Sequence, residues 1–347
     1  MKNKFYCGID VSKLKLDVSI LIDEKTVHKV FKNTIDDVQD LMNWLLSKTN
    51  SNSLIHVCIE ATNIYHELVA DFLSENKDNF IVSVVNPRKA KHFSNMLANT
   101  KTDKVDAKLL ALYCQKFEPE IYNPLSKERR ELRELSRLMD NLIELKNIQK
   151  VRLHTFHSEV AARGVLSTIK SIEDTIAEIQ KEIKSYYNNY SDLNKEFQLL
   201  KSIPSFGDRI SNVLQVEMPK DENGKYNPKK LTSYFGLAVR EWQSGTSVSG
   251  KPRITKFGSP RVRNMLYMAA LVAISHNLFI AEFYNKLVKK GKPKKVALVA
   301  VMRKLLVLAC AILNSGKPFD VNHVSYRVIH NVKNNVIYCS DKFTKVS

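Results

Sequence analysis

Four carboxylates stand where a metal centre would use them. Asp103 and Asp106 lie three positions apart in "KTDKVDAKLL", at the start of a stretch that otherwise reads as an amphipathic helix. At that spacing two side chains share one helix face, with Cβ atoms about 5–6 Å apart, so both can reach a single metal. Asp10 interrupts the apolar stretch "GIDVS", where a carboxylate is costly to bury unless it is paired or metal-bound. Glu60 ends the apolar run "LIHVCIE". If those strands are neighbours and the Asp103 helix covers their ends, the four acids converge, and only divalent cations or protons can hold them together. Hard oxygen donors favour Mg²⁺ or Mn²⁺, and two such ions can clamp the attacking and leaving oxygens of a phosphodiester. Each acid also has a plainer use. An Asp at a helix start caps the helix or meets its dipole, and an Asp after Gly in a strand can mark a bulge. The order strand Asp, strand-end Glu, helix Asp pair is what favours the metal.

A second constellation is "REWQSGTSVSGKPRITKFGSPRVR", residues 240–263. Ser244, Ser247 and Ser249 stand with two glycines, Gly245 and Gly250, and Lys251, Arg253, Lys256, Arg261 and Arg263 follow with no acid among them. Glycine lets backbone approach phosphate closely, and the cations neutralise its charge. On composition this is a basic loop that either grips phosphates or carries a nucleophilic serine. No histidine lies in it to serve as base, so a serine there needs help from elsewhere, such as a metal. The turn "IPSFGDRI" resembles a helix-hairpin-helix whose amides face a phosphate, with Ser205 where the first glycine is expected.

The composition agrees with a polyanionic partner. The 347 residues carry a formal charge of +18. From Arg240 to Lys304 there are 14 basic residues against 2 acids, a net of +12. Nucleic acid is therefore the first partner expected, and it should meet the C-terminal third. No run approaches the roughly 18 consecutive apolar residues of a spanning helix, and the N-terminus lacks a secretory signal, so a cytoplasmic protein without membrane attachment is expected. The five scattered cysteines form no C-x-x-C pair and read as buried free thiols.

The elements that must position these residues follow from periodicity. Residues 5–22 read as one strand rich in β-formers and "TVHKVFKN" as a second, a hairpin signature. "TIDDVQDLMNWLLSK" is a helix capped by Thr34, and further strands and helices lead to a helix over 103–117. The first 118 residues thus run β-β-α-β-α-β-α, an α/β layered domain with a mixed sheet. Between 126 and 200 the pattern turns to long helices. Ile169, Ile172, Ile176, Ile179, Ile183 and Tyr186 make a heptad seam, read as a helical hairpin or coiled coil turning near Gly164. More helices follow the turn at 203–210, and the tail beyond about Asp320 has no clear pattern.

Taken together, "GIDVSKLKLDV", "CIEATNIYHELVADFL", "VVNPRKAKHF", "KTDKVDAKLLALYC", "SIPSFG", "YFGLAVREWQSGTSVSGKPRITKFG" and "VRNMLYMAA" resemble the insertion-sequence one-ten family of transposases, relatives of the Piv-type DNA invertases. The likeness runs from residue 5 to about 320 in family order. It implies an α/β fold with a RuvC-like (RNase H fold) domain over 1–125, a coiled-coil linker over 126–198, a mainly helical transposase domain over 199–320, and a tail over 321–347. It implies a metal-binding acidic tetrad at Asp10, Glu60, Asp103 and Asp106 using Mg²⁺, with Mn²⁺ as the alternative, and a nucleophilic serine at Ser244, while Ser247 and Ser249 fall at more variable positions. It further implies a covalent serine-DNA intermediate, donor and target DNA as substrates, guidance by a structured bridge RNA, and a homo-oligomer that assembles from dimer to tetramer. The reading is a Mg²⁺-dependent DNA recombinase in which Lys251, Arg253, Lys256, Arg261 and Arg263 neutralise phosphates. Its rivals are a hydrolytic junction endonuclease using the tetrad alone, an actin-like kinase, and a nucleic-acid binder without activity.

Overall fold

The stretch 5–22 breaks in the middle. Ser12 turns the chain: its N–H donates to the Lys15 carbonyl at 2.9 Å, and its Oγ accepts the Lys15 N–H at 3.1 Å. Two strands result, β1 (Asn3–Val11) and β2 (Lys15–Ile22), followed by β3 (Lys25–Lys32). This computed structural model describes residues 3–23, 25–49, 53–62, 64–97, 102–221, 223–244, 248–320, 327–331 and 336–340. The chain divides into two units, Met1–Leu125 and Ser126–Ser347.

In the first unit, α1 (Ile35–Ser47), β4 (Ser53–Glu60), α2 (Glu67–Glu75) and β5 (Phe80–Val85) complete a five-stranded mixed sheet of order β3-β2-β1-β4-β5. The β3–β2 and β2–β1 pairs are antiparallel, and β1–β4 and β4–β5 are parallel. Because side chains alternate along a strand, Cys7, Ile9 and Val11 go to one face and Gly8 and Asp10 to the other. The first face is sealed by Val38, Leu41 and Leu45 of α1 and by Val69 and Leu73 of α2, all fully buried. The other face meets α4 (Asp103–Phe117). An eleven-residue helix, α3 (Pro87–Leu97), absent from the sequence reading, precedes α4 and packs on it. Asn86 starts it, its Oδ1 accepting the Arg88 N–H at 2.9 Å, and Pro87 takes the first helical position, where a missing N–H costs nothing.

The second unit opens with α5 (Lys127–Leu153) and α6 (Glu159–Asn189), which pack together as a hairpin. Leu132 and Met139 of α5 share a core with Ile176, Ile179 and Ile183 of α6, so the seam is filled within this chain. The turn lies at residues 154–158 rather than near Gly164, which is inside α6 with nothing within 4 Å of where a Cβ would be. Gly164→Ala should therefore raise stability by about 0.5–1 kcal/mol, through relief of glycine's entropy cost in a helix. Urea unfolding of the two proteins checks this, and a loss of stability would mean the position is crowded.

Beyond it, α7 (Ser191–Lys201), α8 (Asp208–Glu217), α9 (Pro228–Tyr234), α10 (Pro260–His276), α11 (Leu278–Lys289) and α12 (Lys294–Ser315) build a second core. Despite Arg303 and Lys304, α12 is the one described helix long and apolar enough on its own to cross a membrane, with a mean hydropathy of 2.4 over its apolar window. More than half of that window is buried, with Leu305, Leu306, Ala309 and Ile312 fully inside, which is the environment of a core helix. Where the sequence reads as a basic loop, the chain forms an antiparallel hairpin of β6 (Val239–Ser244) and β7 (Val248–Ile254), with a register shift between Arg240 and Trp242. In the tail, β8 (Arg327–Asn331) pairs antiparallel with β9 (Val336–Ser340). Cys7, Cys58, Cys114 and Cys310 are buried free thiols.

Candidate active site

The carboxylates are placed by strand register and one close helix contact. Ile9 of β1 is opposite Ile59 of β4, so Asp10 and Glu60, one step on, leave adjacent parallel strands at the same end. Above them α4 crosses β1 at Gly8. A Cβ there would lie 2.1 Å from the Ala107 carbonyl oxygen and 2.4 Å from the Ala111 nitrogen. The first turn of α4, carrying Asp103 and Asp106, is thereby held toward the Asp10 end of the sheet. Neither acid caps the helix. That role falls to Thr102, whose hydroxyl accepts the Val105 N–H at 3.3 Å.

Two residues at this site were not singled out in the sequence. Asp17 is the cross-strand partner of Asp10 and is buried. Lys15, two residues before it and hence on the same face, places its Nζ 2.5 Å from an Asp103 oxygen and 3.1 Å from Asp17. Contact first with Asp103 and then with Asp17 raises the Lys15 ammonium above its usual range. Asp17 also lies 3.5 Å from the His28 ring. Only the register of β1 and β2 could have found Asp17, because "KLKLDV" gives no sign of facing another acid.

Among the described residues, no group of three or more His, Cys, Asp or Glu side chains is closed enough to hold a metal ion. Register sets Asp10 and Glu60 at one end of the sheet, and the Lys15 contact ties Asp103 to the start of β2 beside it. The donor set nonetheless fits a divalent cation: it is all carboxylate oxygen, and it already draws one ammonium into contact.

In the second unit Ser244 is the last residue of β6, opposite Val248, and Ser249 sits on β7 opposite Gln243. Ser247 lies outside the described residues. Lys251 belongs to β7, and Arg253 and Lys256 are exposed beside the hairpin base. That base is clasped by two glycines with positive φ, Gly236 (+71°) and Gly258 (+86°). A Cβ on Gly236 would lie 2.0 Å from the Phe257 carbonyl oxygen, and one on Gly258 would lie 1.9 Å from that of Tyr234. The Lys256 and Thr255 N–H groups close the clasp by donating to the carbonyls of Gly236 at 3.0 Å and Ala238 at 2.9 Å.

Arg261 and Arg263 point inward. Arg261 donates to Asp140 at 2.5 Å, Glu217 at 2.8 Å and the Ser136 hydroxyl at 2.6 Å, tying α10 to α5 and α8. One Arg263 nitrogen donates to the carbonyls of Phe235 at 3.1 Å and Gly258 at 3.0 Å, bracing the clasp. At the turn before α8, Ser205 keeps a left-handed backbone (φ +90°) although it is not glycine, and its buried hydroxyl has no hydrogen-bond partner.

Comparison with known proteins gives this geometry a context. A DEDD-type IS110 transposase model matches residues 7–160, and a second model, transposase of the IS116/IS110/IS902 family, matches 197–285. The pilin gene-inverting protein of Moraxella bovis is 30% identical over 332 residues, covering 92% of this chain and 98% of that protein, and its Moraxella lacunata counterpart gives the same figures. An uncharacterized 43.6 kDa protein of insertion element IS110 from Streptomyces coelicolor is 22% identical over 156 residues, 45% of this chain and 38% of that one. Membership of a DEDD family implies use of a divalent metal. With both family models matched in order and a relative aligned almost end to end, the chain belongs to the IS110 family of transposases and is an enzyme that recombines DNA.

Proposed function

We propose that the chain cuts and rejoins DNA through Ser244, assisted by an acidic site of Asp10, Glu60, Asp103 and Asp106. The observation that carries this reading is the register that sets Asp10 beside Glu60, beneath the helix turn bearing Asp103 and Asp106, in a member of a transposase family. The sheet order and the carboxylates at the strand ends support a RuvC-like fold for the first unit. Bound Mg²⁺, or Mn²⁺, supplies Lewis-acid polarisation of the scissile phosphate and lowers the cost of deprotonating a hydroxyl. The serine oxygen attacks phosphorus, the P–O bond to the leaving strand breaks, and the departing oxygen takes up a proton as a free hydroxyl. Attack by a hydroxyl of a new partner strand then releases the serine, so the number of phosphodiesters is conserved. Lys251, Arg253 and Lys256 offset backbone charge next to the serine hairpin, while Arg263 braces its base and Arg261 ties α10 to α5 and α8. The resemblance further supports pairing the tetrad of one protomer with the serine of another in a tetramer, and guidance by a structured bridge RNA.

A denaturing gel for a protein-DNA adduct tests this, using the element's ends, the flanking transcript and Mg²⁺. An adduct is expected with the wild type, its DNA-bearing peptide mapping to residue 244, and none with Ser244→Ala or Asp106→Asn. Cleavage that persists in Ser244→Ala without an adduct would replace this reading with a hydrolytic endonuclease using the acids alone.

A further inference from the structure

We propose that Lys15 is the resident counter-cation of the acidic site: in the metal-free protein it ties Asp103 to Asp17, and an entering divalent ion must displace its ammonium from Asp103. The inference rests on the metal reading of the tetrad given above. Three observations carry it. The Lys15 backbone is fixed by the Ser12 turn through two hydrogen bonds, so its side chain starts from a defined point at the edge of the site. Its Nζ touches Asp103 at 2.5 Å and Asp17 at 3.1 Å, bridging an exposed acid on α4 and a buried one on β2. Asp17 faces Asp10 across the strand pair, so the bridge stands at the same sheet end as the tetrad.

A carboxylate oxygen held by an ammonium is a poor ligand for an approaching dication. The two cations repel at contact distance, well inside the Debye length of about 8–10 Å, so salt does little to screen them. Once displaced from Asp103, the ammonium retains Asp17, which lies outside the tetrad. Asp17 is thus a parking position, and the exchange is reversible without the lysine leaving the site. The arrangement also relieves mutual repulsion among the acids before metal arrives, a cost the fold would otherwise meet alone.

The test is Mn²⁺ binding to the full-length protein by isothermal titration calorimetry, with thermal melts in the absence of metal. Lys15→Gln is expected to bind Mn²⁺ about ten-fold more tightly, to melt lower than wild type without metal, and to recover its melting temperature when Mn²⁺ is added. Lys15→Arg, which keeps the charge, should retain wild-type affinity. A folded Lys15→Gln protein with unchanged or weaker Mn²⁺ affinity would overturn the counter-cation role. Binding indifferent to Asp106→Asn as well would instead overturn the metal cradle beneath it, so the two failures are distinguishable.

Discussion

Gly8→Ala should disable the enzyme and cost about 3 kcal/mol, the upper end for overpacking. A single added methyl would stand 2.1 Å and 2.4 Å from backbone atoms of Ala107 and Ala111, neither of which can swing away as a side-chain tip could. Relief requires α4 to lift from the sheet, and Asp103 and Asp106 move with it. Stability and catalysis should therefore fall together, in contrast to Gly164→Ala, where open space around the new Cβ predicts the opposite sign. Thermal unfolding and strand-cleavage assays on Gly8→Ala check both effects. A variant that melts and cleaves like wild type would show that α4 does not bear on β1.

The second large effect lies in the ion network of the other unit. Glu217 accepts from Arg137 at 2.9 Å and from Arg261 at 2.8 Å, and Arg261 and Arg209 both donate to Asp140. Arg261→Met leaves largely buried carboxylates short of a partner and should destabilise the protein by about 3 kcal/mol, the scale for breaking such pairs. It should leave the salt dependence of DNA binding unchanged, because no phosphate contact is removed. Arg253→Gln should do the reverse and reduce the slope by about one ion. A reduced slope with normal stability in Arg261→Met would return that residue to the phosphate contacts. The same network sets an acid limit. Burial alone would raise the Glu217 carboxyl, but the hydrogen bond and charge of Arg137 and the charge of Arg261 bring it below its ordinary value. A lowered folded value means stability that is full above the unfolded glutamate pKa of about 4.3 and is lost as pH falls through the folded one. Acid titration of the melting temperature should show that loss diminished in Glu217→Gln.

Much of this was legible from local signals. The helix over 103–117 appears with those bounds because Thr102 caps it and a left-handed Glu118 ends it, both local events. Thr34 caps α1 for the same reason. The turn at Ser12 was hidden because Ser-Lys-Leu contains no glycine, proline or asparagine and the flanking residues favour strands on both sides. The hairpin of β6 and β7 was hidden because its serines and glycines read as a loop, and backbone pairing asks little of them. Charge pattern told that residues 251–263 are basic but not whom each cation faces. Arg261 turned inward because Asp140 and Glu217, more than forty residues away in sequence, stand opposite it. Asp17 and Lys15 needed strand register, which no periodicity within "KLKLDV" supplies.

The glycine clasp under the serine hairpin bears on how such enzymes diverge. Its contacts join backbone to backbone, Gly236 against Phe257 and Gly258 against Tyr234, so its geometry does not depend on which side chains the hairpin carries between them. Residues 239–254 therefore form an interchangeable cassette, its two ends set by the peptide frame and by Arg263, which lies outside the cassette. Drift or grafting among relatives can rewrite the strand sequences without re-evolving the socket that holds them.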